Sequence, residues 1–98
     1  MTIRIVKMCF EEDKIEEFQF LFDQYKEKIR EVEGCTHLEL LQSPDDERIF
    51  MTYSHWEHPD FLESYRHSAL FKEIWPRTKA LFSAKPEAWS MNQRHILD

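Results

Sequence analysis

The order of alternating and helical segments along 98 residues predicts an α+β protein of ferredoxin-like type, βαββαβ, with a four-stranded antiparallel sheet and helices on one face. Three observations carry that expectation. Apolar residues fill strand-like segments at 2–10, 36–42 and 48–56. They recur at steps of three and four between Ile15 and Val32. Gly34, Pro44, Pro59 and Pro86 then fall between the periodic segments, where chain-breaking residues belong, and only Pro76 lies within one.

The first strand, 2–10, has no polar face: Ile3, Ile5 and Cys9 lie on one side, Val6, Met8 and Phe10 on the other. A strand of that kind is covered on both faces. Asp13 is expected to start the first helix, with Glu16 completing a capping box. Ile15, Phe18, Leu21, Phe22, Tyr25, Ile29 and Val32 form its apolar stripe, and Gly34 supplies the left-handed residue after it. Segments 36–42 and 48–56 read as a hairpin closed by Ser43-Pro44-Asp45-Asp46. His58-Pro59 opens the next helix, with Pro at its first position and Asp60 and Glu63 in the first turn. Ser68 caps a second helical piece carrying Leu70, Phe71, Ile74 and Trp75, in which Pro76 predicts a kink or break. Residues 88–91 form the last strand, and 92–98 a tail beyond a core of 2–91; the whole of 1–98 is expected to be one domain.

Composition narrows the function classes. With 13 basic and 19 acidic side chains the net charge is −6, which argues against nucleic acid or an anionic membrane as partner. No window supplies the ~20 apolar residues that span a bilayer. Met1-Thr2-Ile3-Arg4 leads directly into the first strand without an apolar leader, so a cytoplasmic location is expected. Cys9 and Cys35 make no CxxC pair and are expected as reduced thiols, a disulfide between them being the minor option. His55-x-x-His58 lacks a third ligand nearby, and a lone glycine makes no phosphate loop, so neither metal nor cofactor is expected. Fourteen aromatic residues are the unusual feature, pointing to a dense interior or a ring-lined cavity.

Segment 48–56 adds a partner. Ile49, Met51 and Tyr53 lie on one face, Phe50 and Trp56 on the other, and helices cover only one of them. A second copy of the same sheet is the simplest cover for the other, so a homodimer is expected.

The run Phe50-Met51-Thr52-Tyr53-Ser54-His55-Trp56, with Tyr65-Arg66-His67-Ser68, Leu70-Phe71-Lys72 and Pro86-Glu87-Ala88-Trp89, resembles the antibiotic biosynthesis monooxygenase family. Glu33-Gly34-Cys35 is similar to that family's helix-to-strand corner, and the resemblance extends over 2–91. It implies a dimeric α+β barrel, two sheets face to face with helices outside. For function it implies one of three things: cofactor-free oxygenation of quinols and aromatic polyketides, haem degradation, or no known activity. Haem-degrading members pair a first-strand Asn with a Trp and a His of the second helical region. Here 2–10 holds no Asn, Tyr65 stands at the Trp position, and Trp75 stands near the His position. Polyketide-oxidising members carry an Asn on the third strand and a Trp four residues on; Trp56 matches, while Thr52 replaces the Asn.

The expected activity is therefore cofactor-independent monooxygenation of a quinol-like or polyphenolic compound. A non-catalytic barrel binding a small hydrophobic molecule is the alternative, and haem degradation a distant third. A base must ionise a phenol so that the anion can reduce dioxygen. His67, at the junction of two helical pieces, is the candidate base, with His37 next; His58 and His95 are expected in solvent. Trp56 and Tyr65 are the candidate ring contacts, joined by Phe71 and Trp75. At helical spacing Phe18, Phe22, Phe71, Trp75 and Phe82 are also ordinary core. Thr52 and Ser54, small between Phe50 and Trp56, either open a cavity with hydroxyls in it or pack against Phe22 or Trp75.

Overall fold

The computed structural model describes residues 1–98. Its elements run β1 (Thr2–Cys9), a 3-10 turn (Glu12–Lys14), α1 (Ile15–Arg30), β2 (Cys35–Gln42), β3 (Ile49–Trp56), α2 (Pro59–Arg66), α3 (Ala69–Lys79) and β4 (Glu87–Asn92). One antiparallel sheet has the order β2-β3-β1-β4, which is the ferredoxin-like arrangement.

The register sorts every strand residue to a face. Val6 lies between Thr52 and Ala88, Arg4 between Ser54 and Ser90, and Met8 opposite Phe50; these rows face the helices. Ile5 lies between Tyr53 and Trp89, Ile3 between His55 and Met91, and these rows face away. The core forms where α1 and α3 press on the first set. Phe10 is fully buried, stacks on Phe18 at 3.9 Å and meets Phe50 edge-on at 5.8 Å. A second, smaller cluster joins Cys35, Trp56 and Leu62 under α2.

Local chemistry explains the joints. In the hairpin, Ser43 Oγ accepts from the Asp45 and Asp46 amides, and the Asp46 carboxylate accepts from the Arg48 amide and guanidinium. Arg48 holds the Asp46 carboxyl down at about 2. At the start of α2 the His58 ring accepts from the Asp60 amide ahead of Pro59, and Ser68 Oγ accepts from the Phe71 amide to cap α3.

Four sequence expectations change. The capping box at Asp13 does not form: Glu12–Lys14 already turns as a 3-10 helix, so Asp13 lacks the extended backbone of a cap, and α1 begins at Ile15 without a side-chain cap. The helix ends at Arg30, so Val32 and Gly34 belong to the turn that follows. Gly34 nonetheless has φ +86°, and a Cβ there would come within 2.3 Å of the Phe61 ring. Helix α3 continues through Pro76 instead of breaking. Lys72, whose carbonyl loses its usual amide, is exposed and can be hydrated, while buried Ile74 and Thr78 anchor the helix on either side. Asn92 completes β4 and leaves the tail, and the Gln93 amide donates to the Met1 carbonyl. The two thiols are separate and free, and burial pushes that of Cys35 up.

Candidate functional site

Between the inner face of the sheet and the layer of α1, α2 and α3 lies a cavity of about 280 Å³. Its floor is the row Thr52, Ser54 and Trp56 of β3; its helix-side wall is Phe22, Tyr65, Phe71 and Trp75. The space exists because β3 places two small residues between Phe50 and Trp56, so the large rings across from them have nothing to fill. Thr52 and Ser54 both line this space, across from Phe22 and Trp75, and Ser54 is also packed against Trp56. Phe18, Phe22, Phe71 and Trp75 all line it: Phe18 and Phe22 belong to the core as well, Phe71 and Trp75 are half-buried wall residues outside the core cluster, and Phe82 packs on the core alone.

The rings form one connected series. Trp56 stacks on Tyr65 at 5.4 Å, Tyr65 meets Phe71 edge-on at 5.3 Å, and Phe71 stacks on Trp75 at 5.6 Å. Trp56 is 1 % exposed and donates from Nε1 to Ser54 Oγ at 2.9 Å, which pins its plane. Tyr65 is held by these contacts at the end of α2, and its hydroxyl makes no hydrogen bond within the chain. Burial, with the Cys35 thiol adding, pushes that hydroxyl up to about 12. At neutral pH it is thus a donor and not a base. The Thr52 hydroxyl is likewise free of protein partners, whereas Thr78 donates to the Ile74 carbonyl.

The cavity reaches solvent where its lining includes exposed Ala88 and Arg66. Arg4 of β1 lines the same end. No imidazole and no carboxylate lines the space. His67, the expected base, is outside it: the side chain is 73 % exposed and its Nε2 meets Glu63 Oε1 at 2.8 Å, one turn back on α2. The reason is angular. Tyr65 and His67 are two apart, which on a helical backbone puts them on different sides, and Tyr65 takes the inner one. His37 is on the outward face of β2, its Nε2 at 2.7 Å from Glu39 and its ring 4.8 Å from that of His55. So Trp56, Thr52, Ser54, Tyr65, Phe71 and Trp75 come together, and neither histidine joins them. The residues the sequence reading missed are Arg4 and Arg66. The signal for Arg4 is its spacing, two residues before Val6 and four before Met8, which places all three on the inner face.

A larger recess of about 560 Å³ follows α1 along the β2 edge. Charged side chains line most of it, and its cations are engaged, Lys26 with Asp23 at 2.6 Å and Arg30 with the Cys35 carbonyl at 2.8 Å. It is a solvated groove.

The fold is an antiparallel ferredoxin-like α+β sheet with a small cavity on its inner face, lined by rings and by two arginines. Residues 1–76 match the antibiotic biosynthesis monooxygenase family, and the chain belongs to it. Solved structures share the whole fold. A crystal structure of an antibiotic biosynthesis monooxygenase superposes with TM-score 0.90 at 18 % identity, covering 97 % of this chain and 100 % of the other. A conserved protein from Methanosarcina mazei Go1 gives 0.89 at 24 % identity, covering 96 % and 94 %. A protein from Mycobacterium tuberculosis gives 0.89 at 14 %, covering 99 % and 98 %. Among curated proteins none matches the chain in sequence. No helix is long and apolar enough to cross a membrane.

Proposed function

We propose that the protein is a cofactor-independent monooxygenase that oxidises an electron-rich, quinol-like or polyphenolic aromatic within the cavity. The observation that carries this is the pairing of ring walls with hydroxyls that have no partner within the chain, at Thr52 and Tyr65, in one mainly apolar cavity. A planar ring enters beside Trp75 and Phe71 and lies against the Trp56–Tyr65 stack. Thr52 and Tyr65 donate hydrogen bonds to its oxygen, and the nearby cationic mouth favours the ionised phenol. The apolar walls desolvate that anion, which makes it a better electron donor to dioxygen. One oxygen atom enters a ring carbon, and the other leaves as water with two hydrogens from the substrate. With no imidazole in the cavity, the phenolic proton departs through the open end to solvent.

The expected test is oxygen uptake by metal-stripped protein over a panel of quinols. Thr52→Val and Tyr65→Phe should each lower kcat/KM by about tenfold, the scale of one hydrogen bond to a charged group. His67→Ala should leave the rate unchanged; a loss of about 100-fold would restore His67 as the base. Uptake no faster than buffer across the panel would favour a ligand-binding barrel without turnover.

The active form in this reading is a homodimer. Leu41, Trp89 and Met91 on the outward face are 46 %, 38 % and 52 % exposed beside Met51 and Tyr53, and a second sheet covers them best. Light scattering should give about twice the 12.0 kDa chain mass; a stable monomer at micromolar concentration would exclude it.

A further inference from the structure

We propose that Arg4 selects the ligand by charge, so that the cavity takes a planar aromatic bearing a carboxylate. This rests on the cavity being the ligand site, and it is independent of turnover there.

The fold leaves one partly buried charge unmatched. Arg4 is partly buried on the inner face of β1, between Ser54 and Ser90. Its Nη1 donates to Ser90 Oγ at 2.9 Å, and it makes no other side-chain hydrogen bond. A guanidinium has five N–H donors, so most of the fork is free. No carboxylate lies within ion-pair distance of it, although the chain carries 19 acidic residues against 13 basic ones. Comparable arginines are provided for. Arg48 grips Asp46, and Arg77 donates to Tyr25 Oη, which itself donates to Glu73.

The nearest charge acting on Arg4 makes matters worse. Burial, then the like charge of Arg66, hold its pKa below the ordinary value, with Glu63 opposing more weakly. Arg66 shares Glu63 with His67, at 3.2 Å and 2.8 Å, so that carboxylate is already divided between two partners. Two arginines therefore line one largely apolar cavity, and the carboxylate of Glu63, already engaged, is the one acidic group that acts on Arg4. A partly desolvated cation without a counter-charge is destabilising, and an anion bound from solution supplies the missing partner.

Shape indicates which anion. The free edge of Arg4 is a planar fork that matches two coplanar oxygens bidentately, whereas a single phenolate oxygen would use only part of it. The walls beyond it are the stacked rings of Trp56 and Tyr65, with Phe71 edge-on to Tyr65, and they suit a flat ring entered edge-first. With the carboxylate at the mouth, the ring itself lies inside the cavity that Thr52 and Tyr65 also line.

Calorimetry with 2-naphthoate and its neutral isostere 2-naphthamide tests this on the unaltered full chain. Naphthoate should bind at least about tenfold more tightly, with a preference that shrinks as salt is raised. Arg4→Gln should bring naphthoate to within about twofold of the amide and leave the amide affinity where it was. Should Arg4→Gln fail to fold, Arg4→Lys decides, since it keeps the charge and loses the fork: about a tenfold loss for naphthoate and none for the amide is expected. Equal affinities in the unaltered protein, no binding of either probe at millimolar concentration, or a preference that survives both substitutions would overturn the proposal. Charge preference without oxygen uptake would sink the oxidation and leave this inference standing; uptake without charge preference would do the reverse.

Discussion

The two faces of one sheet differ in how completely the chain itself satisfies them. On the inner face Phe50, Ser54 and Trp56 are buried, and the Trp56 indole has its hydrogen bond within the row. On the outer face of the same strand, His55 Nε2 is out of solvent with no partner, and Tyr53 lies in an aromatic group with His37 and His55. Trp89 and Met91 extend that unfinished surface onto β4. Alternate residues of β3 thus serve two different tasks. Apart from the cavity over Thr52 and Ser54, the inner row is covered by helices of the same chain, so its energetics belong mainly to folding. The outer row is left partly exposed, and in the proposed dimer its energetics belong to association.

Three experiments test that division, and the largest effect is expected inside. Phe10→Ala should cost about 3–5 kcal/mol in urea denaturation, because a fully buried ring in contact with Phe18, Phe50 and Phe82 leaves a cavity. The loss should not vary with protein concentration. A loss below about 1 kcal/mol would mean that the core collapses around the gap and is less rigidly packed than its contacts indicate.

Outside, Met51→Glu should leave the far-ultraviolet spectrum intact and weaken self-association by about 100-fold or more, read by sedimentation velocity. A carboxylate buried without a partner between sheets has that order of penalty. Undiminished association would mean that the dimer, if formed, uses another surface.

The smallest effect is on pH. Burial, with the charge of His37 adding and that of Glu39 opposing, lowers the pKa of His55 from its ordinary 6.5. His37, Glu39 and Tyr53 are the titratable groups of the sheet that face it. Between its folded value and 6.5 the unfolded chain binds more protons than the folded one. The stability His55 contributes is therefore present above 6.5 and is lost as pH falls through that window. The slope cannot exceed about tenfold per pH unit for one proton. His55→Gln should flatten the profile between pH 7.5 and 5.5, and an unchanged profile would assign the slope elsewhere.

The elements were legible because each rests on local chemistry. Periodicity gave α1, turn residues gave the hairpin, and His58-Pro59 and Ser68 gave both starts of the second helical region. Where local rules failed, something non-local or geometric intervened. Asp13 was already inside a 3-10 turn, and Pro76 kept its helix because the freed carbonyl of Lys72 is on the wet side. The site was half legible. Small Thr52 and Ser54 between two large rings marked the floor of the cavity. His67 looked suitable by residue type and by its place at a junction, yet Tyr65 took the inward side of α2 and left it in solvent with Glu63.

By itself the sequence determined the family, the order of the elements and the fact that β3 carries two apolar rows, since these follow from spacing and residue type along the chain. Only the tertiary structure decided which row the helices cover, because a strand has no inside until something packs on it. It also decided that Arg4 and Arg66, far apart in the chain, meet at one cavity mouth without enough carboxylate to match them. Charge balance is a property of neighbourhoods in space, and no count of acids and bases along a chain can reveal where it fails.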